Sequence, residues 1–154
     1  IMVGADKDVY NKILPVLRYM GKDILHCGKS GTGQLTKILN NMILFETVVA
    51  LSEAANIAEQ YGMNVENLYE NITKCSGDSF ALRNHGLKSI AKNNFPSPAF
   101  SSEYALKDLS YALELGQKLN VKMPGALSAE NLLKTSIKNG DKDLYFPVMK
   151  KYFS

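Results

Sequence analysis

The sequence predicts a mainly α-helical chain, six or so helices around one long central helix, preceded by a short α/β segment. Three observations carry the prediction. Between Gly33 and Gly62 no glycine or proline interrupts the chain, and apolar residues recur there at helical spacing. The opening pairs two short apolar runs around a helical pattern, as a strand–helix–strand unit does. Everything after Gly62 reads as helices separated by glycine, proline and asparagine breaks.

Taken in order, Ile1 to Gly4 reads as a strand ended by Gly4 and Asp6. Asp6 suits the N-cap of a helix through Tyr19, with Val9, Ile13, Leu14, Val16 and Leu17 as its apolar side. Pro15 falls inside that pattern and predicts a kink or an earlier end. Ile24 to Cys27 reads as a second strand that Gly28 ends. The chain begins with Ile1 inside an apolar run, so the reading expects a piece of a longer protein whose N-terminal part is absent.

The long helix carries Leu35, Ile38, Leu39, Met42, Phe45, Val49 and Ala54 on one stripe, which Ile43, Val48, Ala55 and Ala58 widen. At 1.5 Å per residue it spans roughly 40 Å, and so broad an apolar surface asks for cover from its own domain and from a second chain. Gly62 and Asn64 stop it. Helices are expected over Val65–Cys75, with Leu68, Tyr69 and Ile72 inward, and over Ser79–Asn93, with Leu82, Leu87 and Ile90 inward. The run Asn94-Phe95-Pro96-Ser97-Pro98 is a loop. Ser101 or Ser102 caps a helix to about Leu119, through Tyr104, Leu106, Leu109, Ala112 and Leu115. Pro124 fits the first turn of a helix to Asn139, and an amphipathic tail from Asp143 to Phe153 is interrupted by Pro147.

Composition excludes several classes of function. The 154 residues are 45% apolar, enough for one real core, and the formal charge of +3 is scattered. No basic stripe with interleaved aromatics marks a nucleic-acid binder. Cys27 and Cys75 show no metal-ligand spacing and read as reduced thiols of a cytoplasmic protein. No signal peptide and no uninterrupted run of about eighteen apolar residues is present, so no membrane role is expected.

The chemistry gathers at the start of the long helix. Lys37 and Asn41 lie four residues apart and share a face, with Gln34 one turn earlier. Gly28, Gly31 and Gly33 precede them. The loop is neither a dinucleotide fingerprint, since Thr36 stands where glycine or alanine belongs, nor a Walker loop, since Gln34 and Leu35 follow Gly33. Glycines here instead predict close approach of a flat ligand or of another backbone. A lysine opposes the dipole at a helix N-terminus, and a solvated lysine beside a glycine turn fits the same spacing. In Phe100–Leu109, adjacent Lys107 and Asp108 could serve different ligands, although the pattern alone favours an ordinary solvated pair. His26 and His85 are isolated in sequence, and no Ser/His/Asp set assembles.

The series Gly28-x-x-Gly31-x-Gly33-x-x-x-Lys37-x-x-x-Asn41 resembles the catalytic signature of the β-hydroxyacid dehydrogenases, the family of 3-hydroxyisobutyrate dehydrogenase and tartronate semialdehyde reductase. The likeness extends through Met20-Gly21, His26-Cys27-Gly28, Ser52-Glu53-Ala54 and the block Phe100 to Leu109. It implies that residues 1–28 end a Rossmann domain for NAD or NADP, and that 29–154 form an all-helical catalytic and dimerisation domain. By that resemblance Lys37 is the proton donor and acceptor at the substrate oxygen, and Asn41 holds substrate and lysine in place. Lys107 contacts the nicotinamide cofactor, while Phe100 and Asp108 line the cleft. The resemblance further implies a small hydroxy acid or semialdehyde substrate, a homodimer, and a cytoplasmic or, in eukaryotes, mitochondrial-matrix location. An imine-reducing or 6-phosphogluconate-type dehydrogenase and a non-catalytic helical dimerisation module are the alternative readings. Lys37 argues against the imine reducers, and chain length argues against the 6-phosphogluconate type.

Overall fold

The computed structural model describes residues 1–153. The chain forms two compact units, Ile1–Asn41 and Met42–Ser154. Seven helical segments follow or flank two short strands among the described residues.

The first unit is a β–α–β arrangement joined to the first turns of a helix. Strands β1 (Met2–Gly4) and β2 (Leu25–Gly28) pair in parallel, Met2 opposite Leu25 and Val3 opposite His26, with a shift before Gly4 meets Gly28. Helix α1 (Lys7–Leu17) connects them and keeps Pro15 in its last turn, where the helix ends two residues later. Asp6 has the extended backbone of an N-cap, but its side chain makes no capping bond. The apolar side expected of α1 is largely uncovered: Val16 is 63% exposed and Val9 51%. Tyr10 stacks on His26 at 4.6 Å, and His26 Nε2 lies 2.7 Å from the Ala5 carbonyl oxygen. His26 is thereby a structural histidine.

Helix α2 (Thr32–Tyr61) begins in this unit and continues into the second. The glycines before it do different work. Gly28 and Gly31 adopt φ of +112° and +89°, which side chains resist. Gly33 is a close approach: a Cβ there would lie 2.7 Å from the Gly4 nitrogen and 2.8 Å from the Met2 carbonyl oxygen. A Cβ on Gly4 would likewise meet the Gly33 nitrogen at 2.7 Å. Of the two occupants expected beside these glycines, the backbone of β1 takes the place at Gly33, and Gly33 is buried rather than open to a ligand.

The second unit holds the hydrophobic core. From α2 come Phe45, Val48, Val49, Leu51 and Ala55; from α3 (Val65–Ile72), Val65 and Tyr69. A π-helix, α4 (Leu82–Ile90), adds Leu82 and Ile90. Helices α5 (Ser102–Lys118) and α6 (Pro124–Lys138) pack together and contribute Ala105, Leu109, Ala126, Ala129 and Leu133. The expected tail is a 3₁₀ segment, α7 (Phe146–Tyr152), in which Phe146 to Lys150 are all buried. Amphipathicity was the wrong reading there, because Phe146 and Met149 enter the core while Lys150 turns inward to partners. Its Nζ donates to Glu59 Oε1 at 2.6 Å and to Asn93 Oδ1 at 3.0 Å. Tyr69, fully buried, donates its hydroxyl to the Leu51 carbonyl at 2.6 Å. Leucines 68, 87, 106 and 115, expected inward, are only half-buried, and Tyr104 is 59% exposed rather than inward.

By length and composition α2 could cross a bilayer. Phe45, Val48 and Ala55 are nevertheless fully covered by protein, and Glu46, Glu53 and Glu59 punctuate the helix. One face of α2 therefore belongs to the core of the protein.

Candidate functional site

The expected site residues fall on two elements. Lys37 and Asn41 occupy the first turns of α2 in the first unit, one turn apart and both half-buried. Their position follows from the glycine packing, since β1 against Gly33 fixes where the helix starts and how its first turns are rotated. Thr32 tightens the same turn by donating its hydroxyl to the Lys29 carbonyl at 2.6 Å. Both side chains take part in interactions of the folded chain.

Phe100, Lys107 and Asp108 belong to the second unit, before and within α5. Phe100 is 36% exposed and stacks on Phe45 with centroids 6.1 Å apart, while Phe146 meets it edge-on at 5.9 Å. One edge of the ring is thus anchored in the core. Lys107 is exposed, and its ammonium sits 5.1 Å from the centre of the Tyr104 ring. Such an exposed cation–π contact is worth about 0.5–1 kcal/mol. Asp108 is only 8% exposed and is partnered. The solvated-pair reading of Lys107 and Asp108 therefore fails for the aspartate: adjacent residues on a helix point about 100° apart, and here one faces protein and the other water.

Sequence reasoning anticipated the serine cap of α5 but not the other partners of its first turn. Its first N–H groups have no partners within the helix. The Ser102 amide donates to the Leu144 carbonyl at 2.9 Å, Glu103 to Lys142 at 3.1 Å, and Tyr104 to Ser101 Oγ at 3.2 Å. A segment about forty residues later thus caps the helix that carries Lys107 and Asp108. Only the serine cap was legible in the local sequence.

His85, isolated in sequence, lies in an aromatic cluster. Its Nδ1 is hydrogen-bonded to the Tyr145 hydroxyl, and its ring lies 5.4 Å from Phe146 and 6.2 Å from Phe80. Its Nε2 is buried without a hydrogen-bond partner. Burial, with a smaller contribution from the Lys88 charge, holds His85 below the ordinary histidine pKa, and burial raises the Tyr145 phenol. Both shifts favour the neutral forms.

An apolar groove of about 730 Å³ lies elsewhere in the second unit, where Leu113, Val121, Met123 and Leu127 of α5, α6 and their connection meet. None of Phe100, Lys107 or Asp108 lines it. Ser110, Glu114, Gln117, Lys122 and Glu130 also line it. Because none of the expected site residues reaches it, it is not assigned to the chemistry. No group of three or more His, Cys, Asp and Glu side chains suited to a metal occurs among the described residues.

Comparison with known proteins identifies the lineage. Residues 31–152 match the family described as the NAD-binding domain of NADP-dependent 3-hydroxyisobutyrate dehydrogenase. The chain is 40% identical over 124 residues to 2-(hydroxymethyl)glutarate dehydrogenase of Eubacterium barkeri, covering 80% of this chain and 41% of that protein. It is 32% identical over 159 residues to the mitochondrial 3-hydroxyisobutyrate dehydrogenase of Drosophila melanogaster, covering 97% of this chain and 49% of that one. The structure of Mycobacterium tuberculosis 3-hydroxyisobutyrate dehydrogenase with L-serine superposes with a TM-score of 0.87 at 30% identity, over 98% of this chain and 53% of the other. The chain spans about half the length of these relatives. The family match starts after residue 30, whereas the structural match includes the β–α–β opening. The chain belongs to the 3-hydroxyisobutyrate dehydrogenase family, whose cofactor is NAD(P).

Proposed function

We propose, with that membership as premise, that this chain is part of an oxidoreductase acting on a small 3-hydroxy acid or semialdehyde, with Lys37 as its proton donor and acceptor. The observation that carries the reading is Lys37 and Asn41, half-buried one turn apart, on a helix start fixed by backbone packing at Gly33. A proton-transfer group must be held in place to be effective, and a helix braced against a strand holds it better than a loop does. In the oxidative direction the neutral amine of Lys37 takes the proton leaving the substrate hydroxyl. In the reductive direction its ammonium polarises the carbonyl oxygen and returns that proton. Asn41 offers an amide donor and acceptor for orienting the same oxygen and the lysine.

When bound, NAD(P) supplies hydride exchange at the substrate carbon. Lys107 suits contact with it: an exposed ammonium beside the half-open Tyr104 ring offers charge and a flat face to a phosphate-bearing, aromatic molecule. Phe100 and Asp108 are assigned to the substrate and cofactor cleft, the first as an anchored aromatic edge and the second as a mostly buried acid.

Residues 1–28 are read as the end of a Rossmann domain, a reading supported by the parallel β1–β2 pair and by the uncovered apolar side of α1. Residues 29–154 are then the helical catalytic and dimerisation domain. An exposed row along α2, Leu35, Leu39, Ile43, Ile57 and Tyr61, supports a homodimer. The free thiols Cys27 and Cys75 suit a reducing compartment, cytoplasm or mitochondrial matrix.

The test is NAD(P)-dependent turnover by the full-length protein over a panel of 3-hydroxy acids and semialdehydes. Lys37→Ala is expected to lower kcat by about 10²–10⁴-fold while cofactor binding persists. A variant as fast as the wild type would remove Lys37 from the mechanism.

A further inference from the structure

We propose that His85 and Tyr145 are positioning residues: their hydrogen bond ties the 142–146 segment, which caps the start of α5, to α4, and so sets the orientation of Phe100, Lys107 and Asp108. The inference rests on the function proposed above for those three residues. It concerns two side chains to which that function gives no role.

The connection is continuous. Segment 142–146 runs antiparallel to residues 100–103, with Tyr145 bridging to Ser101 and the Phe146 amide donating to the Phe100 carbonyl at 3.0 Å. Together with the Ser102 and Glu103 amides on Leu144 and Lys142, this pairing satisfies the two foremost N–H groups of α5. Phe146 then packs edge-on against both Phe45 and Phe100, at 5.1 and 5.9 Å. The bond from Tyr145 to His85 is the polar tie from this segment to another element.

The other end of that tie has an unusual backbone. His85 sits in a nine-residue π-helix, a form that is rare and recurs at functional sites. The wider turn is visible in the Ala91 amide bonding to the Gly86 carbonyl at 2.9 Å, five residues back. Gly86 lets this helix lie against the buried Tyr69, since a Cβ there would come within 3.3 Å of the Tyr69 ring. The element holding His85 is therefore seated in the core. With Nε2 buried and unpartnered, the ring makes its hydrogen bond through Nδ1 alone.

Two variants of the full-length protein separate positioning from packing. Tyr145→Phe keeps the ring and deletes the hydroxyl. His85→Asn keeps a hydrogen-bonding atom near the Nδ1 position and deletes the ring that packs on Phe80 and Phe146. For Tyr145→Phe the expected result is a KM for substrate or cofactor raised about 3- to 10-fold, with kcat less affected and little loss of thermal stability. Hydrogen exchange at the Ser102 and Glu103 amides should also quicken, about 10-fold. For His85→Asn the expectation is reversed: lowered stability, with KM close to wild type. Unchanged exchange at those two amides in Tyr145→Phe, or KM values within about twofold of wild type, overturns the proposal. Should the wild-type protein turn over nothing on the panel, the dehydrogenase reading fails, and amide exchange alone decides whether the pair positions α5.

Discussion

The first unit is held by pairing of backbones, while the second is held by a core of side chains. Ile1–Asn41 is held by a short parallel ladder and by Gly4 against Gly33, and none of the residues of α1 is buried. Met42–Ser154 surrounds Phe45, Tyr69, Leu109, Leu133 and Phe146, all at 0% exposure. The contrast shows that a residue's tolerance to change depends on what holds its neighbourhood. Enlarging a side chain threatens the first unit, and removing one threatens the second.

The largest expected effect is Phe146→Ala, which empties a site against four aromatic rings and should destabilise the second unit by about 3–5 kcal/mol in urea unfolding. A loss below 1 kcal/mol would mean that the aromatic cluster is not where that unit's stability resides. Next, Gly33→Ala forces a methyl against Met2 and Gly4 and should cost about 1–3 kcal/mol. Exchange of the Leu25 amide, bonded to the Ile1 carbonyl at 2.8 Å, reports that cost locally, and protection equal to wild type would show that β1 yields without penalty.

A smaller, pH-dependent term belongs to the second unit. His85 is held below its ordinary value of 6.5, so the unfolded chain takes up that proton first as pH falls. The stability it contributes is complete above 6.5 and declines through the window below, until folded His85 is also protonated. Comparing urea midpoints across this range should show a decline in wild type that His85→Asn lacks. Identical pH profiles would exclude His85 as the source. The smallest effect is expected for Val16→Lys on α1, 63% exposed, which should shift stability by no more than about 0.5 kcal/mol in the isolated chain. A larger loss would reveal cover over that helix, for instance from a second copy.

Much of this fold was legible because its elements are marked locally. Hydrophobic spacing and the Gly33-to-Gly62 interval delimit α2 to within a residue or two. Pro124 opens α6 and Ser101 caps α5. The lysine and asparagine of the candidate site were equally visible, because a four-residue spacing on a helix fixes a shared face before any tertiary contact forms. What composition and periodicity determined, then, were the helices, their order and the two polar side chains at the start of the longest.

Tertiary structure decided the rest. It put a strand backbone beside Gly33, buried Asp108 while leaving Lys107 in water, and turned Lys150 inward to Glu59 and Asn93. It also widened the helix at His85 into a π-helix and carried Tyr145 across sixty residues to meet it. These outcomes depend on which surfaces meet, and a single residue's neighbours in sequence hold no record of its partners across the core. Periodicity encodes which face of a helix is apolar; only packing chooses what covers it.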